Sequence, residues 1–394
     1  MPTATCTRDM WRPFSWPTAA CTRSGHNANA CWPGAWRPRC SDWSGRRGRW
    51  SNAFWDGPEM MRTTGITAAD VGIVLVNFRG LRDTLPCLGA VANLRTPPRR
   101  VIVVDNGSDD GSAETLRREL ARPGSGVCAE LLELPGNEGF AGGNNAALRL
   151  LLRDQGCRAF WLLNNDTEPD PTALDALCET LNGLATPGAC GSLLVHMGGA
   201  GRVQCIGGGR LNRLLGTACH LGEGMAAEAA QRLSAKEVGA RLDYVCGASL
   251  LVARSAVERA GLLDEAFFLY YEDVEWGIRL RRAGFDLGYA LGSVVHHREG
   301  GSTGAASSRE GSGPVRSRFI DYLTLRNRVW LMRSAYPFAL PLVLASYLGV
   351  AVNRCRRGQA DRLGLMARAA WHGLTGRMGR PDLSSPSNSE DMQA

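Results

Sequence analysis

A chain of 394 residues with 44% hydrophobic and 21% charged residues has the balance of an ordinary globular protein, long enough for one large domain with additions. The formal net charge of +7 is modest, and no dense basic stripe interleaved with aromatics crosses the central region, which excludes a nucleic-acid binder and suits anionic partners: nucleotide diphosphates, lipid phosphates or an acidic membrane face. The thirteen cysteines include no C-x-x-C pair and no zinc-ligand spacing, so they read as buried free thiols of a reducing cytoplasm, Cys87, Cys157, Cys178, Cys190 and Cys246 above all.

Residues 1–56 carry seven tryptophans and many arginines with no apolar periodicity and no signal-peptide core. Residues 1–65 are therefore set apart as an irregular extension, disordered or not native. Translation upstream of a start at Met60 or Met61 would explain them, as would a Trp/Arg-rich surface anchor. Patterned structure begins at Asp70. The apolar run 71–78 predicts a buried parallel strand, and leucines at helical spacing over 81–94 predict a helix ended by Pro97 and Pro98. Residues 100–105 predict a second strand entering the loop DNGSDDGS, with Ser112 as N-cap of the next helix. A third strand is expected over 129–135, a loop and helix over 137–152, and a fourth strand from 160 ending in NNDTEPDP. This alternation implies a mostly parallel, Rossmann-like sheet flanked by helices, with ligands at the strands' C-terminal ends.

The second half is less regular. Residues 183–242 are glycine-rich and read as loops and short strands; 245–261 read as strand then helix, and 270–284 as an acidic turn opening an amphipathic helix with Gly284 at its end. A last strand runs from 286 to His296 and His297, ahead of a Gly/Ser loop. The charge-free stretch 335–352, followed by Arg354, Arg356 and Arg357, predicts a helix lying in the cytoplasmic membrane face or, alternatively, packed on the catalytic domain.

Several polar residues arrive together at the strand ends. Asp105 could accept from a base or ribose, or simply shape an Asp-Asn-Gly turn. Asn164, Asn165 and Asp166 offer oxygens to a hard cation, or an Asx turn before Pro169. Glu272 and Asp273 sit at a helix start, where a carboxylate either serves as a base or caps the helix. One of His296 and His297 could complete a metal site.

Six ordered blocks across residues 70–304 (VGIVLVNF, VVDNGSDDGS, NEGFAGGNNAAL, LLNNDTEPDP, CGASLLVARSAVERAGLLDEAFFLYYEDVEWGIRLRRAGF and VVHHREGGSTG) resemble the family 2 glycosyltransferases, in particular their rhamnosyltransferase-like branch. The resemblance implies an α/β GT-A fold and an inverting transfer. It places nucleotide binding at Asn77 and Asp105, with the Asn137–Asn145 loop, including Gly142, alongside and Asn164 and Asn165 nearby. Asp166 falls on the last position of the Asp-x-Asp metal motif, whose first position is Asn164 here. His297, rather than His296, falls on the metal-associated histidine, and Asp273 on the catalytic base.

The implied cofactor is Mg2+ or Mn2+. The implied partners are a dTDP- or UDP-sugar, dTDP-rhamnose first, and a glycan or polyprenyl-diphosphate-linked acceptor. A UDP-hexose or galactofuranose donor, or a silent nucleotide-sugar-binding scaffold, are the alternatives. The expected organisation is extension 1–65, catalytic domain 66–304, flexible loop 305–318 and a helical, membrane-associated extension 319–394 with a disordered tail, peripheral or C-terminally anchored at the inner face of the plasma membrane.

Overall fold

The computed structural model describes residues 65–122, 128–198, 201–298 and 317–381. The N-terminal extension up to residue 64, most of the expected 305–318 loop and the tail from 382 lie outside the described residues.

In chain order the strands are β1 (Val71–Asn77), β2 (Arg100–Asp105), β3 (Glu130–Glu133), β4 (Ala159–Asn164), β5 (Thr167–Pro169), β6 (Pro187–His196), β7 (Val203–Ile206), β8 (Gly208–Leu211), β9 (Ala218–His220), β10 (Tyr244–Val245), β11 (Ser249–Ala253) and β12 (Asp286–His297). The helices are α1 (Leu81–Ala92), α2 (Ser112–Ala121), α3 (Gly139–Leu151), α4 (Ala173–Asn182), α5 (Ala227–Ala230), α6 (Ala235–Arg241), α7 (Arg254–Ala260), α8 (Glu272–Arg282), α9 (Arg318–Ala335), α10 (Leu340–Arg356) and α11 (Leu363–Thr375).

The large sheet runs β3-β2-β1-β4-β11-β6-β12-β5, with β7 on β6. β1 pairs in parallel with β2 and β4, and β2 with β3. β11 is antiparallel to both β4 and β6, whereas β12 runs parallel to β6. Two reversals therefore return β6 and β12 to the direction of β1. The C-terminal ends of β2, β1, β4, β6 and β12 and the N-terminal end of β11 share one edge. β1, β2 and β4 are covered on both faces, which is why they read as unbroken apolar runs. Trp161 and Trp276 are wholly buried in the main core.

Three local expectations need correction. Residues 187–196 form the ten-residue strand β6 at the middle of the sheet, where the sequence suggested only loops and short strands; β7, β8 and β9 in the same region are short, as expected. Its glycines hid it: a Cβ at Gly191 would lie 2.0 Å from the Gly207 carbonyl oxygen, so the small residue marks a close backbone approach. Ser112 is not the cap of α2. Gly111 takes that place at φ +83°, and Asp110 Oδ1 accepts from the Ser112 amide at 3.1 Å. Finally, α3 starts at Gly139, so Gly142 and Asn145 lie on a helix and not on a loop.

All nine described cysteines are free thiols, and the five singled out in the sequence are buried. α9, α10 and α11 pack together through Tyr322, Val329, Val343, Tyr347 and Ala369. Leu331 of α9 joins Phe267, Tyr271 and Val274 in a further cluster that ties α9 to the start of α8.

Candidate active site

Asp166 follows β4, and His297 ends β12, at the shared edge of the sheet. His297 Nε2 lies 3.1 Å from Asp166 Oδ1, both side chains being 7% exposed. Alternation along β12 decides which histidine turns inward. His297 is buried, while His296 points away and meets Asp170 Oδ1 at 3.4 Å, half-exposed. His297 Nδ1 contacts Gln204 Oε1 at 2.6 Å. With that nitrogen donating to the carboxamide oxygen, the Nε2 lone pair of a neutral imidazole is left facing the carboxylate. Two electron-rich atoms so placed suit a shared divalent cation, since neighbouring vertices of an octahedron with bonds of about 2.1 Å lie about 3 Å apart. Without a cation between them, burial pushes the Asp166 carboxyl up, but a protonated His297 outweighs it by charge and hydrogen bond and holds the carboxyl below its usual range.

Three further residues surround this pair, of which Asp83 and Gln204 belong to none of the quoted blocks. Asp83, in the first turn of α1, is buried, and its carboxyl is pushed up by burial and by the Asp166 charge, against Arg298. Arg298 Nε sits 3.3 Å from Asp83 Oδ1, and the Arg298 amide donates to the Asp166 carbonyl at 2.9 Å. Gln204, on β7, is the third. Sequence spacing could not bring Asp83 and Gln204 to Asp166, because α1 and β7 supply them, whereas Arg298 directly follows His297.

One edge position along, Asn77 and Asp105 are directly paired in the β1–β2 ladder. Asn77 Nδ2 donates to Asp105 Oδ2 at 2.8 Å, and Asn77 Oδ1 accepts from the Thr84 hydroxyl at 2.8 Å. Asp105 Oδ1 also accepts from the Ser108 amide at 2.9 Å, so the DNGSDDGS loop is folded back over its own strand end. Asn165 Nδ2 donates to the same Thr84 hydroxyl at 2.8 Å, linking the β4 and β1 ends, and Asn164 is half-buried beside it. Asn137 Oδ1 accepts from the Gly139 amide at 2.8 Å and shapes the start of α3. Gly142 packs against Glu138. Asn145 lies further along: its carboxamide donates to the Leu263 carbonyl and to Glu265 Oε1 and accepts from the Leu263 amide, latching α3 to the segment before α8.

The third group stands at the N-terminus of α8. Asp273 is 7% exposed; its Oδ2 accepts from the Gly247 amide at 3.2 Å and Oδ1 from the Val274 amide at 2.8 Å. Gly247 lies two residues before β11, which brings Asp273 to the edge that carries Asn164–Asp166. Burial, reinforced by the charge of Cys246, pushes the Asp273 carboxyl up to about 7 despite these amides. Cys205, His220 and Cys246 gather within 4.8 Å of one another beside it. Glu272 is buried too, and burial first, then the Asp273 charge, raise its carboxyl far above the usual range, which favours its protonated form.

The turn that delivers these carboxyls is strained. Phe268, Tyr270 and Tyr271 have φ of 66°, 71° and 73°, each a conformation costing a non-glycine residue about 1–3 kcal/mol. The turn is gripped from two sides. The Phe140 amide of α3 donates to the Phe268 carbonyl at 2.7 Å, and Asn327 Nδ2 of α9 lies within hydrogen-bond distance of the carbonyls of Phe267, Leu269 and Tyr270.

Residues 69–311 match the family described as glycosyltransferase like family 2. The chain is 24% identical over 325 residues to the low-salt glycan biosynthesis hexosyltransferase Agl10 of Haloferax volcanii, covering 79% of this chain and 94% of that protein. It is 26% identical over 274 residues to the N-acetylglucosaminyl-diphospho-decaprenol L-rhamnosyltransferase of Mycobacterium tuberculosis, covering 66% and 87% respectively. The crystal structure of GalNAc-T7 with UDP, GalNAc and Mn2+ superposes with a TM-score of 0.52 at 14% identity, over 80% of this chain and 55% of that longer one, and the likeness shows a shared GT-A fold.

Proposed function

The chain belongs to the family 2 glycosyltransferases, and from that premise we propose that it transfers a sugar with inversion from a nucleotide-sugar to a lipid-linked or glycan hydroxyl in cell-surface polysaccharide synthesis. Rhamnose from dTDP-rhamnose is the donor we favour, supported by the likeness to a rhamnosyltransferase and by the ordered motif blocks. The observation that carries the reading is the buried Asp273 carboxyl, pushed up to about 7, at the same sheet edge as the Asp166–His297 pair.

Asp273 acts as the base. A carboxylate with its pKa near the working pH combines a populated base form with useful basicity. It takes the proton of the acceptor hydroxyl as that oxygen bonds to the anomeric carbon, while the bond from that carbon to the diphosphate oxygen breaks. A single displacement from the opposite face inverts the centre, and the nucleoside diphosphate leaves with the electron pair. Glu272, held protonated, adds no second charge beside the base. Asn77, Asp105 and the loop to Ser108 form the floor on which the nucleoside rests. Asn137 and Gly142 line the same side, with Asn164 and Asn165 between it and Asp166. Asp166 and His297 would hold a Mg2+ or Mn2+, whose chemistry is to neutralise charge on the diphosphate. Asn145 contributes indirectly, through its latch on the segment before α8.

The test combines donor binding with turnover. Thermal shift with dTDP-rhamnose and with UDP-sugars, each with and without Mn2+, is expected to favour dTDP-rhamnose with Mn2+. Asp273→Asn is expected to keep that shift and lose at least a thousandfold in transfer to a polyprenyl-diphosphate-linked sugar. Asp166→Ala is expected to lose the Mn2+-dependent part of binding. Wild-type turnover by Asp273→Asn would remove the base assignment, and a larger shift with a UDP-sugar would remove rhamnose.

A further inference from the structure

The C-terminal helices do more than extend the chain. We propose that Asn327 of α9, braced by Arg326, is a positioning residue for the transfer step: it holds the Phe267–Tyr271 turn in the conformation that delivers Asp273 to the rim. This inference rests on the reading of Asp273 as the base.

The geometry is specific. Asn327 Nδ2 lies 2.9 Å from the Phe267 carbonyl oxygen, 2.9 Å from that of Leu269 and 2.8 Å from that of Tyr270. An amide nitrogen has two hydrogens, so three carbonyls share two donors, and the turn is drawn around a single nitrogen. The orientation of the carboxamide is dictated by its neighbour: Arg326 Nε donates to Asn327 Oδ1 at 3.0 Å, which leaves only Nδ2 to face the turn. Arg326 reinforces the grip through Nη2 to the Phe267 carbonyl at 3.2 Å, and its Nη1 reaches the Gly379 carbonyl at 2.7 Å. The Gly379 amide in turn donates to the Ala266 carbonyl at 2.8 Å, so the residues after α11 close the bracket.

Both side chains are fully buried. A buried guanidinium and a buried carboxamide are costly in an apolar setting, and packed hydrophobes would fill the volume with less desolvation. What they supply, and a hydrophobe could not, is a set of donors aimed at the carbonyls of Phe267, Leu269 and Tyr270 in a turn where Phe268, Tyr270 and Tyr271 all take positive φ. The last of these residues, Tyr271, is the N-cap of α8 and immediately precedes Glu272 and Asp273. Releasing the turn would shift the proposed base while leaving the Asp166–His297 pair, carried by β4 and β12, in place.

The test uses Asn327→Asp, which keeps the shape and the partner for Arg326 but replaces the donor with an acceptor. Asn327→Ser, which keeps one donor on a shorter arm, carries the test if the first variant does not fold. The expected result is a fall in kcat of about a hundredfold or more for Asn327→Asp and a smaller fall for Asn327→Ser. Donor KM is expected to stay within threefold, because the nucleotide side is untouched. The acidic limb of the pH–kcat profile is expected to move to lower pH as Asp273 escapes its burial, an effect that mere loss of folded protein cannot mimic. Folded variants of both kinds with wild-type kcat and an unmoved limb overturn the proposal, as does a loss confined to donor KM. Asp273→Asn is assayed alongside. If it retains turnover, the base reading fails and the purpose assigned to the turn falls with it. If it is inactive while both Asn327 variants are normal, only the positioning role fails.

Discussion

Asp273 combines burial with two backbone donors, and the balance decides how its activity should vary with pH. Its carboxyl is pushed up to about 7, mainly by burial. As base it must be ionised, so kcat/KM is expected to rise with unit slope through pH 7 and to level above it; a rate profile flat down to pH 5 would contradict this. Folding stability carries the opposite sign. The folded chain binds this proton more tightly than the unfolded one, so the contribution is fully present below the ordinary carboxylate range and lost as pH rises through about 7. Asp273→Asn, which cannot ionise, should therefore unfold at a higher temperature than the wild type at pH 8, with a smaller advantage at pH 5. Scanning calorimetry at the two pH values checks it.

At the level of elements, two glycines with similar backbone angles separate conformational need from close approach. Gly284 follows α8 with φ +86°, its amide bonding to the Arg281 carbonyl and that of Phe285 to the Leu280 carbonyl, a Schellman ending with open space around its α-carbon. Gly139 opens α3 at φ +73°, and there a Cβ would lie 2.2 Å from the Phe268 carbonyl oxygen, inside the strained turn. Gly284→Ala should cost about 1 kcal/mol, the left-handed penalty alone. Gly139→Ala should cost about 3 kcal/mol or more and also lower kcat, because the turn must yield. Urea unfolding of both variants measures the difference; equal costs would mean that the turn gives way freely.

At the scale of the whole molecule, the C-terminal helices have an inner and an outer face. Val343 and Tyr347 of α10 pack against α9, with the Tyr347 hydroxyl donating to the Leu325 carbonyl at 2.6 Å. Arg354 also turns inward and pairs with buried Asp321 at 2.9 Å, so Arg356 and Arg357 are left as the exposed basic pair after the apolar stretch. Phe338 and Leu348 are each 72% exposed, and Leu342 and Val352 lie on the outside as well. The segment Pro337–Arg356 is long and apolar enough to cross a bilayer, yet its inner face is packed on α9. Were the helix to take an interfacial seat, its apolar face would enter the acyl boundary and its arginines would meet the headgroups. The full chain is expected to co-sediment with anionic phospholipid vesicles and to bind them at least tenfold more weakly as Phe338→Glu/Leu348→Glu, with an unchanged Tm. Equal sedimentation of the two proteins would place the membrane contact elsewhere or nowhere.

Much of this was legible in the linear chain because it is written in local terms. Apolar runs doubly covered by helices identify β1, β2 and β4, and the polar residues that end them must emerge at one edge once the strands are parallel. Asp166, Asp273 and His297 were all visible as polar residues at the ends of elements, where the structure places them. The tertiary structure decided what depends on distance through space. It brought Gln204 and Asp83 around the Asp166–His297 pair, and it made β6 a central strand where glycines had masked the pattern. It also turned Asn145 toward the segment before α8 and placed the carboxamide of Asn327 under a turn some sixty residues earlier in sequence. Periodicity and spacing report on neighbours along the chain; burial and hydrogen-bond partners between distant segments are set only when the sheet and helices close on one another.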